Sequence, residues 1–452
     1  MSAPASTTLP VAVIGAGPIG LAAAAELVRR GQPVVVLEQG DRPGASVRDW
    51  AHVRLFSPWS ELMSPAAVAM LEPTGWRRPD PSTYPTGGEW VRDYLEPLAA
   101  VLTEHVHTGH RVLGVARRDR DLLVDSGREE HPFVLHVQRA DGSTDRLLAR
   151  AVVDCSGTWT RPNPLGTEGY PVPGEAPHAH RISYGMPDPA RDEPRYAGRA
   201  TAVVGSGASA LTALIALTSA PLWAEGSRVV WVLRRATVGS SYGGGELDEL
   251  PARGALGQTV RRAVEAGLIE VVTGFRTAAV EGSGSDRVAL VATDGRRVGS
   301  LDEVVVATGF RPDLTFLSEV RLDLDHRLQA PTRLAPGIDP NLHSCGSVQP
   351  HGYDVLAQPE GDLYLAGMKS YGRAPSFLAM TGYEQVRSIA AALDDDLAAA
   401  TAVELRLPDT GVCGGAGLFD ESQPAEGAGG CCGTSAGAQP LTLQRLGSGA
   451  PQ

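Results

Sequence analysis

The 452-residue chain predicts an α/β architecture in which one parallel-sheet unit interrupts another. Two glycine-rich turns, Gly15-Ala16-Gly17-Pro18-Ile19-Gly20 and Gly205-Ser206-Gly207-Ala208-Ser209-Ala210, each stand between an apolar strand and an Ala/Leu-rich helix. Two further apolar strands end in small-residue turns, Cys155-Ser156-Gly157 and Ala307-Thr308-Gly309, with Pro162 and Pro312 soon after. A last strand and turn, Asp362-Leu363-Tyr364-Leu365-Ala366-Gly367, returns near the C-terminus. Each glycine-rich turn opens a segment that a small-residue turn closes, so the chain holds an internal repeat. The fold class expected is two Rossmann-like dinucleotide-binding domains, the second inserted into the first.

The first turn follows Val11-Ala12-Val13-Ile14. Its first glycine, Gly15, allows the tight strand-to-helix turn, and Gly17 lets the backbone approach a pyrophosphate. Gly20 must be small so that helix and strand pack closely. Exposed N–H groups at the helix start then receive the phosphate charge. The next strand, Val34-Val35-Val36-Leu37, ends in Glu38. A carboxylate there accepts hydrogen bonds from a ribose diol and repels a 2′-phosphate, which suits the adenosine half of FAD.

Gly205, Gly207 and Ala210 play the same parts in the second turn. The strand after it, Arg228-Val229-Val230-Trp231-Val232-Leu233, ends in Arg234-Arg235. Paired guanidinium groups suit a 2′-phosphate, so the second ligand expected is NADPH rather than NADH. A solvated strand end is the plain alternative for these arginines.

Between turn and closing strand, alternating patterns predict strands over Phe133–Arg139 and Val288–Ala292, ending at Asp141-Gly142 and Asp294-Gly295. A helix is expected from about Pro375, with Leu378, Gly382, Val386, Ile389 and Leu393 on one stripe. Beyond Pro408 the composition turns to Gly, Ala, Ser and Pro. The expected division is a first FAD-binding part over 9–195, an NADPH-binding domain over 196–310, an FAD-binding return over 311–407, and a flexible tail over 408–452.

A hydrophobic share of 42% with 20% charged residues suits a globular enzyme, and the net charge of −12 disfavours nucleic acid or an anionic membrane surface as partner. No apolar run reaches the ~18 residues that span a bilayer. No signal peptide is visible before the first strand, so the cytoplasm is the expected compartment.

Together these residues resemble the two-dinucleotide-binding-domain flavoproteins, the flavin-containing monooxygenase-like oxidoreductases first and thioredoxin and mercuric reductases more distantly. The resemblance covers roughly residues 9 to 400. It implies that Gly15, Gly17, Gly20 and Glu38 serve FAD, that Gly205, Gly207, Ser209, Arg234 and Arg235 serve NADPH, and that Pro18, Gly157, Gly309 and Gly367 belong to the cofactor-binding residues. A monooxygenase linker fingerprint is matched at Gly174 and His178, while Val172 and Ile182 stand where it has aromatics; shifted by two, it is matched at His180 and Tyr184, with Ala176 in place of the glycine. At the return turn, Met368 follows Gly367 where the reductase branch has aspartate.

No C-x-x-C or C-x-x-x-x-C pair is available as a flavin-side disulfide. Cys155 and Cys345 read as buried small residues. His105, His107 and His110 read as a strand-entry loop rather than a metal site. Trp50, Phe56, Trp59 and Trp76 either line a substrate pocket or belong to the core. The function expected is an FAD-dependent oxidoreductase taking hydride from NADPH, monooxygenase-like, with a small molecule and molecular oxygen as partners. No catalytic acid or base is assigned. The alternative is a metalloid-binding flavoprotein in which the tail thiols Cys413, Cys431 and Cys432 capture arsenic or mercury.

Overall fold

The computed structural model describes residues 9–243, 251–284, 286–340, 350–375 and 377–405. Cys345, Cys413, Cys431 and Cys432, and the tail expected over 408–452, lie outside them.

Strand β1 (Val11–Ile14) leads into the helix Pro18–Arg29, followed by β2 (Val34–Leu37) and β3 (Val106–His107). The antiparallel strands β4 (His110–Arg117), β5 (Phe133–Arg139) and β6 (Thr144–Ala149) come next, and the chain then re-enters as β7 (Ala151–Asp154). After β8 (Ile182–Ser183) the pattern repeats with β9 (Ala200–Val204), the helix Ala208–Leu217, β10 (Arg228–Val232), the helix Pro251–Glu265 and β11 (Ile269–Val272). A second antiparallel set, β12 (Thr277–Gly282), β13 (Val288–Ala292) and β14 (Arg297–Leu301), precedes β15 (Glu303–Val306). The return segment adds β16 (Leu363–Leu365) and the helix Ala379–Ala392.

The strand orders make the repeat explicit. One parallel sheet runs β16-β7-β1-β2-β3 and the other β8-β15-β9-β10-β11, read from matching edges. In each, the edge strand beside the closing strand comes from outside the contiguous segment: β16 from the return, β8 from the stretch before β9. Ile182–Ser183 therefore adds to the second sheet, ahead of the boundary expected at 196.

Both sheets are covered on both faces, which explains why their strands read as continuous apolar runs rather than alternating ones. Val11, Val13, Val34 and Val36 pack toward the helices Pro18–Arg29 and Ala379–Ala392, while Ala12, Ile14, Val35 and Leu37 pack toward β4–β6. In the second unit, Val203, Val229 and Trp231 face its helices, and Ala202, Val204, Val230 and Val232 face β12–β14. Each fully buried valine or leucine contributes about 1.5–3 kcal/mol.

The helix expected from Pro375 begins at Ala379, with Leu378 still extended. Upstream, Gly372 (φ +58°) lies against the Leu328–Gln329 backbone, where a β-carbon would come within 2.1 Å of the Leu328 carbonyl oxygen. The apolar stripe holds from Gly382 onward. A β-carbon on Gly382 would sit 2.5 Å from Ile19 Cδ1, so the glycine lets this helix close on the one that follows the first turn. Among the described residues no helix is long and apolar enough to cross a membrane.

Candidate functional site

The two glycine-rich turns are built alike. Gly15 takes φ +97°, and a β-carbon there would press on the Cys155–Ser156 backbone at about 3.0 Å. Gly20 supports the first turn from below, where a β-carbon would lie 1.8 Å from the Gly15 carbonyl oxygen. Gly17, by contrast, has nothing within 4 Å of its β-carbon position, so the space above it is open. It caps the helix with no side-chain hydrogen bond, and Pro18 follows at the first helical position. The first N–H groups of that helix are thus left for an outside acceptor.

Glu38 sits beside them, buried, with both carboxylate oxygens used. Oε2 accepts from the Ala16 N–H and Oε1 from the Gly40 N–H, each at 2.7 Å. A carboxylate offers about four acceptor positions, so two remain for a diol. Open space over Gly17, an uncapped helix start and an acceptor at the next strand end fit the adenosine diphosphate half of FAD.

The second turn repeats the design. Gly205 (φ +139°) faces Ala307, whose carbonyl oxygen would lie 2.2 Å from an added β-carbon. Gly207 is open, caps its helix without a side chain, and is followed by exposed Ser209 and buried Ala210. Trp231 Nε1 donates to the Gly205 carbonyl at 2.7 Å and pins the turn from beneath. Arg234 is exposed and Arg235 half-buried, just past the end of β10 and Leu233. The geometry fits a second dinucleotide.

The segments that leave the two sheets then cross. The Asn163 N–H donates to the Gly309 carbonyl at 2.9 Å and Asn163 Nδ2 to the Thr308 carbonyl at 3.1 Å. Thr308 Oγ1 donates back to the Asn163 carbonyl at 2.8 Å, and the Arg311 N–H to the Arg161 carbonyl at 2.9 Å. Gly157 (φ +68°) and Gly309 (φ +87°) start these segments in the left-handed region. Gly367 (φ +68°) lies against Ile19, so the return turn closes directly on the first glycine-rich turn.

A cleft opens at this junction, lined by Trp159, Tyr184, Met186, Ser209, Ala307 and Phe310. Trp159 and Phe310 lie with ring centroids 4.8 Å apart, and Trp50 meets Trp159 edge-on at 6.5 Å. Tyr184 donates its hydroxyl to Glu175; burial and that carboxylate push its ionisation well above the usual phenol range. Its hydroxyl is thus engaged by Glu175 while the residue lines the cleft.

Sequence reasoning missed Trp159, Tyr184 and Met186. The repeat offered a signal for Trp159, which follows the first small-residue turn much as Phe310 follows the second. Of the aromatics weighed for a pocket, only Trp50 reaches the junction. Trp59 is buried in the core, on a segment that meets the helix Ala379–Ala392, and Trp76 packs on Tyr94. The surviving fingerprint residues have local reasons: Gly174 meets the Val280 backbone, and His178 Nδ1 bonds the Gly174 carbonyl at 2.8 Å.

Beside Met368, which is half-buried, lies Lys369, fully buried with its Nζ 3.1 Å from Asp154 Oδ2. It also donates to Ser156 Oγ at 3.0 Å and to the Asp313 carbonyl at 2.5 Å. Cys155 is buried, and burial followed by the Asp154 charge pushes its thiol well up. His105 and His110 bond the Val34 and Thr108 carbonyls, and no group of three His, Cys, Asp or Glu side chains suited to a metal occurs among the described residues.

Residues 12–333 match the family described as pyridine nucleotide-disulphide oxidoreductase. The chain belongs to that family. The pyridine nucleotide-disulphide oxidoreductase match makes it a flavoprotein oxidoreductase with FAD and a nicotinamide dinucleotide as cofactors. Among curated proteins it is similar to flavin-containing monooxygenase FMO GS-OX-like 2 of Arabidopsis thaliana, at 28% identity over 237 residues, 45% of this chain and 46% of the relative. FMO GS-OX5 of the same plant is 30% identical over 222 residues, 42% of this chain and 45% of the relative. The chain thus spans about half the length of the curated relatives it matches.

Among solved structures, the bacillithiol disulfide reductase Bdr of Bacillus cereus superposes with a TM-score of 0.64 at 19% identity, covering 86% of this chain and 99% of that one. DfoA of Erwinia amylovora, a cadaverine monooxygenase solved bound to FAD, gives 0.59 at 13% identity, covering 92% and 100%. These likenesses establish the two-dinucleotide-binding-domain fold.

Proposed function

We propose that the protein oxidises NADPH through FAD and passes the electrons to molecular oxygen, one atom of which enters a small-molecule substrate. The balance is substrate, oxygen, NADPH and a proton giving oxygenated substrate, water and NADP⁺. The observation that carries this reading is the crossing of the two linkers at Asn163, Thr308 and Gly309, beside an aromatic cleft that Trp159 of the first linker and Ser209 of the second dinucleotide turn both line. Bound FAD supplies hydride acceptance and oxygen activation. Gly15, Gly17, Pro18, Gly20, Glu38, Gly157 and Gly367 hold it in this reading, and Gly205, Gly207, Ser209, Gly309, Arg234 and Arg235 hold NADPH. Trp159, Phe310 and Tyr184 wall the cleft against water.

Oxygen is favoured over a disulfide as acceptor because the sequence holds no C-x-x-C or C-x-x-x-x-C pair to relay electrons from the flavin, and Cys155 is buried. The curated relatives carry the monooxygenase name as well. The compartment proposed is the cytoplasm, where NADPH is regenerated.

The test is stoichiometry. The FAD-loaded protein should consume NADPH and oxygen one for one in air, with product replacing hydrogen peroxide once a substrate such as a thioether or amine is found. Rapid NADPH oxidation without oxygen, driven by an added disulfide, would overturn the monooxygenase reading.

A further inference from the structure

Three arginines from three separate segments converge beside the cleft. Arg161 follows Trp159 on the first linker, Arg311 follows Phe310 on the second, and Arg373 follows the return turn. Gly169 marks the meeting point of Arg311 and Arg373. A β-carbon built there would lie 3.5 Å from Arg311 Nη2 and 3.7 Å from Arg373 Nη2, so both guanidinium groups reach toward one spot.

Their charges are poorly answered. Arg311 is held by neutral acceptors, Nε donating to Asn163 Oδ1 at 2.8 Å and Nη2 to the Gly169 carbonyl at 3.0 Å. Arg161 stands 3.5 Å from Asp313, whose carboxylate is also engaged by Thr315. The Arg373 guanidinium has no hydrogen-bond or ion-pair partner among the described residues, and its backbone is anchored by the N–H donating to the Leu328 carbonyl at 2.7 Å. Burial, then the charges of Arg373 and Arg161, hold Arg311 below the usual arginine range. Three guanidinium groups with Asp313 as their one carboxylate partner among the described residues stand out in a chain of net charge −12. A planar anion bridging two guanidinium forks would relieve them.

We infer that Arg311 and Arg373, backed by Arg161, form the recognition site for an anionic group, a carboxylate or its phosphate or sulfonate equivalent, carried by the small molecule that the cleft oxidises. That the anion belongs to the oxygenated substrate rests on the proposed function; that the cluster binds an anion does not. The same chemistry has a second source in a phosphate of NADPH, and the experiment separates the two.

Isothermal titration of the FAD-loaded full-length protein with malonate, at fixed ionic strength, provides the test. One malonate should bind per chain, about equally with and without saturating NADP⁺. Arg373→Gln should weaken it tenfold or more with an unchanged melting temperature, since that side chain holds nothing else in place. Arg92→Gln, whose guanidinium pairs with the adjacent Asp93 at 2.6 Å, should leave malonate binding unaltered. Absence of saturable binding, or equal binding by Arg373→Gln, overturns the site. Loss of malonate binding with NADP⁺, together with a raised NADPH KM in Arg373→Gln, assigns the arginines to the dinucleotide and overturns the substrate reading. Should NADPH and oxygen prove uncoupled while malonate still binds as described, the monooxygenase reading fails and the anion site stands.

Discussion

Lys369, the only lysine in the chain, directs its ammonium to the carboxylate of Asp154 across 3.1 Å with neither side chain reached by solvent. Asp154 ends β7 and Lys369 follows β16, so the pair ties the return segment to the sheet it completes. The contact is an ion pair rather than an aligned hydrogen bond; Asp154 Oδ1 is occupied by the Ser156 N–H at 2.9 Å. Removing one charge strands the other in a dry site, which typically costs about 3–5 kcal/mol. Lys369→Met should therefore lower the urea midpoint sharply, and Lys369→Met with Asp154→Asn should recover most of the loss. No recovery in the double variant would show that Asp154 is not stranded when the ammonium is removed.

The first turn separates folding from binding glycine by glycine. Gly17→Ala adds a β-carbon to open space, so the apoprotein should melt as the wild type does while FAD affinity falls roughly tenfold, about 1.4 kcal/mol. Gly20→Ala drives a β-carbon into the Gly15 carbonyl and should cost about 1–3 kcal/mol of stability or more. Flavin absorbance of the purified proteins, paired with apoprotein melting, reads both effects. Full FAD occupancy at limiting flavin in Gly17→Ala would remove that position from the phosphate site.

Coenzyme choice is expected to rest on Arg234 and Arg235. Replacing both with alanine should lower kcat/KM for NADPH by about 2–4 kcal/mol, roughly 30- to 1000-fold, and leave NADH nearly unaffected. Steady-state kinetics with the two coenzymes decide it. An unaltered NADPH-to-NADH preference would mean that the arginines are only a solvated strand end.

Glu360 makes stability pH-dependent in acid. Burial alone would raise its ionisation, but hydrogen bonds from Arg128, the Arg321 N–H and Arg117 outweigh it and hold the carboxyl below the usual range. A lowered folded value means that its contribution is complete above the ordinary glutamate value, about 4.3, and is lost as pH falls through the folded one. Glu360→Gln should be less stable at neutrality, and its deficit should shrink as pH drops toward about 3. A deficit constant across that range would show that Glu360 carries no linked proton.

The repeat, the two glycine-rich turns and the strand-end charges were legible because each rests on local rules: a positive φ, a β-carbon too many, a run of apolar residues covered on both faces. Gly15, Gly20 and Gly205 show backbone contacts that leave no room for a side chain, and such constraints are written at one position. The start of the last helix was less legible, because its approach is set by the distant Leu328–Gln329 backbone. As cleft walls, Tyr184 and Met186 follow no pattern, since such a wall has no period, and only the repeat pointed to Trp159. Contacts between residues far apart in the chain were beyond sequence patterns altogether. Lys369 could not be matched to Asp154, Arg117 and Arg128 to Glu360, or Arg161 and Arg311 to Arg373, until folding brought three segments to one place. An isolated arginine or lysine looks alike on a solvated loop and in a dry pair, and its partners and burial, not its identity, decide what its charge does.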